Sequence, residues 1–275
     1  MTRAQASVKS TFELQKLAVA PPASPASCKR LCDHYRLEAR RIQASLLPTA
    51  SLQDHTIDIT FRFIPFSDVS GDLADFFYLP DGRIGLYLGD VVGKGLPAAM
   101  YGALVMGTLR GIHKTGVQPA QVLTRLNERL TQRPLSGRFC CMLYALFDPA
   151  TCKLSIANAG LPLPLFISGK SSQTLGSGGI PPGLFPAACY EQYTVQLSPG
   201  DCVLFATDGV HETHDLQGTE IDSSQMAEIW ETSRRPSADR SMQCFFRGLK
   251  TFSQGSASHD DETAIILQVP IATAS

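Results

Sequence analysis

No stretch of the chain approaches the roughly 20 consecutive apolar residues that a membrane span requires, and the N-terminus lacks the charged-then-apolar layout of a secretory signal. Both absences point to a soluble, cytoplasmic protein with no membrane partner. Charge of one sign is also lacking: 24 Lys and Arg stand against 25 Asp and Glu, a formal charge of -1. That excludes a whole-molecule field drawing in nucleic acid, so any anionic partner must be held locally. The 8 cysteines include no Cys-x-x-Cys pair, and the close pair Cys28 and Cys32 finds no His or Cys cluster to complete a zinc site. Reduced, packing cysteines are expected. A Gly-x-Ser-x-Gly elbow is missing, and so is a phosphate loop. Between Gly89 and Lys94 the glycines stand one residue too close, and Gly95 follows the lysine where Ser or Thr is needed.

What is present is an ordinary globular balance, 44% hydrophobic and 18% charged over 275 residues, enough for one large domain or two small ones. Residues 1–27 read as a flexible segment, with a short helix at Thr11–Ala18 and a linker at Pro21–Ser27. Residues 28–48 read as a linker helix ending at Pro48. Leu31, Tyr35, Ala39, Ile42 and Leu46 form one apolar stripe on it, which packs either on its own domain or on a second copy of the chain. The main domain is placed at 49–270 and a tail at 271–275.

Within that domain Thr56–Pro65 alternates like a half-buried strand, and Arg83–Leu88 reads as a buried one that stops at Gly89-Asp90. Pro97–His113 and Pro119–Gln132 carry helical periodicity. Phe139–Phe147 with Cys152–Ala157, and Tyr190–Leu197 with Asp201–Ala206, read as two hairpins. Capped helices follow at Asp222–Thr232 and Ser237–Phe252, then a last strand at Ala264–Val269. Strand runs separated by turns, with helices segregated between them, give an α+β class rather than alternating βαβ units.

The chemistry lies in carboxylates at strand ends. Asp72 sits in an acidic run with Asp68 and Asp75, Asp90 ends a strand before a Gly-rich turn, Asp208 follows Val203–Ala206, and Asp260 and Asp261 precede the last strand. Few Lys or Arg lie near them in the sequence. Crowded carboxylates repel unless a cation or proton offsets them, and oxygen-only donors suit Mg²⁺ or Mn²⁺ rather than zinc. Such a set could hold two ions that lower the pKa of a shared water and present hydroxide to a phosphorus. Among His113, His211, His214 and His259, only His259, beside Asp260, merits testing as an acid or base.

Taken together, Ser70-Gly71-Asp72 with Asp75, Gly89-Asp90-Val91-Val92-Gly93-Lys94-Gly95 with Ala98-Ala99, Asn158-Ala159-Gly160, Pro199-Gly200-Asp201, Thr207-Asp208-Gly209-Val210 with Glu212, and Asp260-Asp261-x-Thr263 form an ordered set. It resembles the SpoIIE/RsbU branch of the PPM-type metal-dependent serine/threonine protein phosphatases. The resemblance implies a four-layer αββα sandwich, two antiparallel sheets flanked by helices. It also implies two Mn²⁺ or Mg²⁺ ions held by Asp72, Asp90, the Val91 carbonyl, Asp208 and Asp260, with Asp261 and Asp75 as second choices. The implied reaction is hydrolysis of phosphoserine or phosphothreonine on a regulatory protein, such as an anti-sigma factor antagonist, by a metal-bridging hydroxide. The leading helix, ending Ser45-Leu46-Leu47-Pro48, is implied to transmit a signal from an upstream domain or dimer interface, and its apolar stripe points to a homodimer through 28–48. Two residues depart from the pattern: Ser70 where Gly is usual, and Leu161 where His is common. They motivate the alternative of a catalytically weak binding module acting as a regulatory decoy.

Overall fold

Seven alternating residues, Asp58–Ile64, form β2, whose apolar side meets the interior while its other side turns to helices. In the computed structural model, which describes residues 25–112, 116–169 and 171–271, this strand belongs to a sheet of six. Its members are β1 (Leu52–Gln53), β2, β7 (Leu165–Ser168), β8 (Ser171–Thr174), β10 (Cys202–Ala206) and β11 (Glu262–Gln268), in the spatial order β1-β2-β11-β10-β7-β8. A second sheet has the order β3-β4-β5-β6-β9, from Leu73–Tyr78, Ile84–Val91, Cys140–Asp148, Lys153–Ala159 and Tyr193–Gln196. Every strand pairing in both sheets is antiparallel.

Three apolar clusters define four layers. Ile57, Ile59, Leu86, Leu88, Phe205 and Ile265 belong to the cluster that fills the space between the sheets. On the far side of the β3–β9 sheet, Tyr87 and Tyr144 meet Val105, Leu109, Leu123 and Leu126 from α2 (Gly95–Ile112) and α3 (Pro119–Gln132). On the far side of the other sheet, Leu204 and Ile266 meet Trp230 of α5 (Ser223–Ser233) and Phe245 of α6 (Ala238–Ser253). Burial on both faces explains why β4, β5 and β10 are apolar almost throughout rather than alternating. The result is the αββα sandwich of the α+β class.

Local signals act where expected. Asp222 caps α5 in a full capping box with Gln225, and the Ser237 side chain accepts from Arg240 N at α6. Pro119 opens α3, where its missing N–H is no loss. Boundaries differ in informative ways. β4 continues through Asp90 to Val91 because β5 keeps pairing with it, Asp90 opposite Cys141 and Val91 opposite Cys140. The Tyr190–Leu197 and Asp201–Ala206 strands are not a hairpin: β9 pairs with β6 and β10 with β7 and β11, in different sheets. The intervening turn, closed by Asp201 N–H to the Ser198 carbonyl at 3.0 Å, carries the chain from one sheet to the other. Cysteine usage is also mixed. All 8 are free thiols, but Cys28, Cys32 and Cys189 are exposed, and only Cys140 and Cys202 are fully buried.

The leading helix α1 spans Pro25–Leu46, starting within the stretch read as linker. The helix proposed at Thr11–Ala18 lies outside the described residues. The α1 stripe lies on its own domain only in part: Leu31 is 44% exposed, and Tyr35 and Ile42 are each 63% exposed. Ala39, Gln43, Leu46 and Leu47 reach inward, against Leu73, Met106 and their neighbours, and Ile42 lies at the rim of the same groove. Arg40 anchors the helix to Asp68 with an ion pair of 2.9 Å.

One carboxylate fastens the two sheets at their edge. Asp54, in the β1–β2 turn, accepts from Thr56 N and Thr56 Oγ1 at 2.6 Å and from Ile57 N at 3.1 Å, and from the Tyr78 hydroxyl of β3 at 2.6 Å. Burial pushes its carboxyl up, but those hydrogen bonds together outweigh it and hold the group down at about 2, against an ordinary 3.8. A depressed folded-state value gives stability that is complete above the unfolded value and is lost as pH falls through the folded one. The urea-midpoint gap between wild type and Asp54→Asn is therefore expected to be constant above about pH 5 and to close between about pH 4 and 2. A gap that stays constant down to pH 2 would show that Asp54 does not titrate in this way.

Candidate active site

Strand ends and turns deliver acids from four parts of the chain to one edge of the sandwich. Asp72 directly precedes β3, Asp90 is the penultimate residue of β4, Asp208 opens the short helix α4 (Asp208–His211) after β10, and Asp260 and Asp261 precede β11. Thr207 ties three of these segments together. Its hydroxyl donates to Asp72 Oδ2 at 3.0 Å and accepts from Thr263 N at 3.1 Å, while its own N–H donates to the Thr263 carbonyl at 2.9 Å.

Mutual charge is the dominant fact of the cluster. Burial, reinforced by the charges of Asp90 and Asp261, raises the Asp72 carboxyl well above the usual range. Burial also raises Asp90, with Asp208, Asp260 and Asp261 adding to it. Asp208 is raised by burial first, and the Gly209 N–H that donates to it at 2.9 Å opposes the shift. These groups gather negative charge in a poorly solvated place, which a cation would relieve. Among the described residues no three acid, histidine or cysteine side chains close on one point, so the carboxylates line a mouth instead of forming a finished cage. The donor chemistry, oxygen throughout, fits a hard divalent cation.

Close backbone approach holds the mouth narrow. A Cβ on Gly71 would lie 2.9 Å from the Val91 carbonyl and 3.3 Å from Asp90 Oδ1, so both border the space that a side chain at Gly71 would fill. Asp261 has a different part from its neighbour. Its Oδ1 accepts from Phe66 N at 2.7 Å and its Oδ2 from Gly71 N at 3.0 Å, so it clamps the loop that presents Asp72. Asp260 instead pairs with Lys94 Nζ at 2.8 Å, and the same ammonium donates to the His259 carbonyl at 2.6 Å.

Not every acid of the sequence motifs arrives. Asp75 points to the helix side of β3, where it accepts from Arg110 Nη2 at 3.0 Å and from the Tyr87 hydroxyl at 3.2 Å. Lys94 is the residue that reading by motif overlooked. The motif reading gives it no role beyond its place in the Gly89–Gly95 run, although a cation following a Gly-rich turn beside several acids is a signal for pairing. His259 is exposed with its ring edge-on to His214, and His113 lies outside the described residues. Cys141 faces the acids, but burial and then the charges of Asp90 and Asp208 push its thiol up to about 11, too high for a nucleophile at neutral pH.

Both departures from the motif pattern fit the fold. Ser70 has no left-handed backbone, and its hydroxyl accepts from Asp72 N at 2.9 Å, so it steadies the loop that a glycine would leave freer. Leu161 is 5% exposed and packs in the cluster between the sheets, while its N–H donates to Asn158 Oδ1 at 3.1 Å.

Comparison with known proteins matches this arrangement. The phosphoserine phosphatase RsbU of Bacillus subtilis (strain 168) is 28% identical over 232 residues, which cover 84% of this chain and 68% of that protein. The SiaA-PP2C domain of Pseudomonas aeruginosa superposes with a TM-score of 0.77 at 20% identity, covering 88% of this chain and 99% of that one. RsbX, solved in complex with magnesium, superposes with a TM-score of 0.61 at 14% identity, covering 80% of this chain and 98% of its own. Residues 80–270, which carry three of the four acidic segments, match the family model described as Stage II sporulation protein E (SpoIIE), and with the sandwich and the acidic mouth in place the chain belongs to that family.

Proposed function

We propose that the chain is a divalent-metal-dependent phosphoprotein phosphatase acting on phosphoserine or phosphothreonine of a regulatory protein. The observation that carries this reading is the meeting of Asp72, Asp90, Asp208 and Asp260, from four distant segments, in one mouth where burial and mutual charge raise the first three. In this reading those four carboxylates and the Val91 carbonyl hold two ions of Mn²⁺ or Mg²⁺. When bound, the ions supply the Lewis acidity that activates water and offsets the phosphoryl charge. Asp261 keeps the 66–71 loop in register, Thr207 orients the Asp72 carboxylate, and Lys94 fixes Asp260. The Cys141 thiol beside the acids is pushed up to about 11, which favours direct attack by water over a thiol nucleophile. Ser70 and Leu161 are both accommodated without disturbing an acid, which favours turnover over a binding-only decoy.

Turnover of p-nitrophenyl phosphate is expected in millimolar Mn²⁺ and is expected to stop in EDTA. A folded protein that turns over neither this ester nor a phosphoserine peptide in Mn²⁺ would sink the proposal.

The domain division follows the same reading, with 28–48 as a transmitting helix and 49–270 as the catalytic domain of a cytoplasmic enzyme. The relative RsbU is named a phosphoserine phosphatase, and one structural neighbour combines RsbU and RsbW domains. By that analogy the substrate here is a phosphorylated regulator of the anti-sigma factor antagonist kind. The exposed Leu31, Tyr35 and Ile42 support a homodimer through the leading helix. Ile42→Asp is expected to convert the dimer to monomer in sedimentation velocity. An unchanged sedimentation coefficient would remove that interface.

A further inference from the structure

A cavity of about 310 Å³ lies beside the acidic mouth, between the end of β2, the end of α6 and the 255–259 turn. Its floor is apolar, made by Ile64, Phe246 and Leu249. Its rim carries cations. The Arg62 guanidinium lies 4.6 Å over the Phe246 ring centroid, and Lys250, exposed in the last turn of α6, has no carboxylate partner among the described residues. His214 and His259 meet edge-on with centroids 5.5 Å apart, and His214 Nδ1 is buried without a hydrogen-bond partner among the described residues. Two acids also line the cavity, Glu262 and Glu212. Glu262 lies beside Arg62 and Ser258, which offset it on that side, while Glu212 lies near the mouth acids Asp208 and Asp260 and near Glu220 and His214. Among the described residues, Lys250 has no carboxylate within ion-pair distance, and unlike Arg62 it has no ring beneath it.

We propose that this cavity is a substrate subsite that takes an Asp or Glu side chain flanking the phosphorylated residue of the polypeptide substrate. The inference rests on the phosphatase reading above and adds a sequence preference to it. The cavity and the mouth are separated by the single segment 258–260, whose His259 lines the one and whose Asp260 lines the other. An extended chain advances about 3.3 Å per residue, so a residue two or three places from the phosphoserine lies about 7–10 Å along. That is far enough to cross one segment. Its methylenes would cover Phe246 and Leu249 while its carboxylate meets the exposed ammonium of Lys250. Because no carboxylate pairs with Lys250 among the described residues, an incoming carboxylate breaks no ion pair there, whereas a basic side chain would meet a like charge.

The test uses the full chain, ¹⁵N-labelled, titrated in EDTA with seven-residue phosphoserine peptides flanked on both sides by Glu, Ala or Lys. The Glu peptide is expected to bind on the order of fivefold more tightly than the Ala peptide, the worth of one exposed ion pair, and to shift the amides of His214 and Lys250. Lys250→Glu is expected to erase that preference and to favour the Lys peptide. Equal affinity for the Glu and Ala peptides, or a preference that Lys250→Glu leaves intact, would overturn the proposal. Turnover of p-nitrophenyl phosphate, which has no flanking residues, reports on the phosphatase reading alone. Lys250→Glu is expected to leave it unchanged, so the two failures are distinguishable.

Discussion

Asp90→Asn is expected to lower turnover of p-nitrophenyl phosphate in Mn²⁺ by on the order of 10³-fold or more, equivalent to about 4 kcal/mol of transition-state stabilisation. Asp90 stands at the centre of the mouth. It feels Asp208, Asp260 and Asp261 and hydrogen-bonds with Asp72, and its Oδ1 borders the same space beside Gly71 as the Val91 carbonyl. The amide keeps the shape of the side chain but removes one charge and one oxygen donor, so it weakens hold on a divalent ion without opening a cavity. The same change should make the metal-free protein more stable, because it deletes one of several buried like charges. Asp90→Asn in EDTA is therefore expected to melt above wild type, and to lose most of the rise in melting temperature that Mn²⁺ gives wild type. This opposition separates lost chemistry from lost folding. Retained turnover together with a lower melting temperature in EDTA would remove Asp90 from the centre of the site.

Much of this arrangement was legible in the chain itself, for physical reasons. Carboxylates beside apolar strands, with few Lys or Arg near them in the sequence, point to a cation, and the chain repeats that device at Asp72, Asp90, Asp208 and Asp260. Periodicity found α3 to the residue, because its Leu and Val positions face the sheet and a proline marks its start. What stayed hidden depends on contacts between distant segments. The turn at Ser198-Pro199-Gly200 looks like a hairpin because a tight turn has the same local chemistry whether the next strand joins the same sheet or crosses to the other. The short hairpin of β7 and β8 escaped because Ser171–Thr174 is polar, mostly exposed and flanked by a glycine. The division of labour between Asp260 and Asp261 was unreadable for a similar reason. Adjacent carboxylates differ only in what faces them, and the partners of Asp261 lie at Phe66 and Gly71. Asp75 was misplaced because its partner, Arg110, comes from α2 across the sheet face.

A single methyl group should be nearly as damaging as the loss of a carboxylate. At Gly209 a Cβ would drive into the Asp261 backbone carbonyl, with Asp260 Cβ a further 3.2 Å neighbour. The obstructing atom is backbone at the entrance to β11, and that backbone is fixed by the Thr207 N–H and by full pairing of β11 with β10 and β2, so it cannot swing aside as a side chain would. Gly209→Ala must therefore push α4 away from the 260–261 segment. Overpacking of this kind costs about 1–3 kcal/mol. The larger effect falls on the site, because Asp208 rides on the displaced turn and Asp260 on the segment it leaves. Misplacing a reacting arrangement by about 1 Å costs about 10²-fold in rate. Gly209→Ala is expected to lose about 10²-fold in kcat with a drop of several degrees in melting temperature, and to need more Mn²⁺ for half-maximal activity. Gly218→Ala supplies the control, since nothing lies within 4 Å of a Cβ there; its left-handed backbone adds strain, but in a turn away from the acids. If Gly209→Ala keeps wild-type activity and metal requirement, then α4 and the 260–261 segment do not have to touch for the site to work, and the close approach at Gly209 is packing without function.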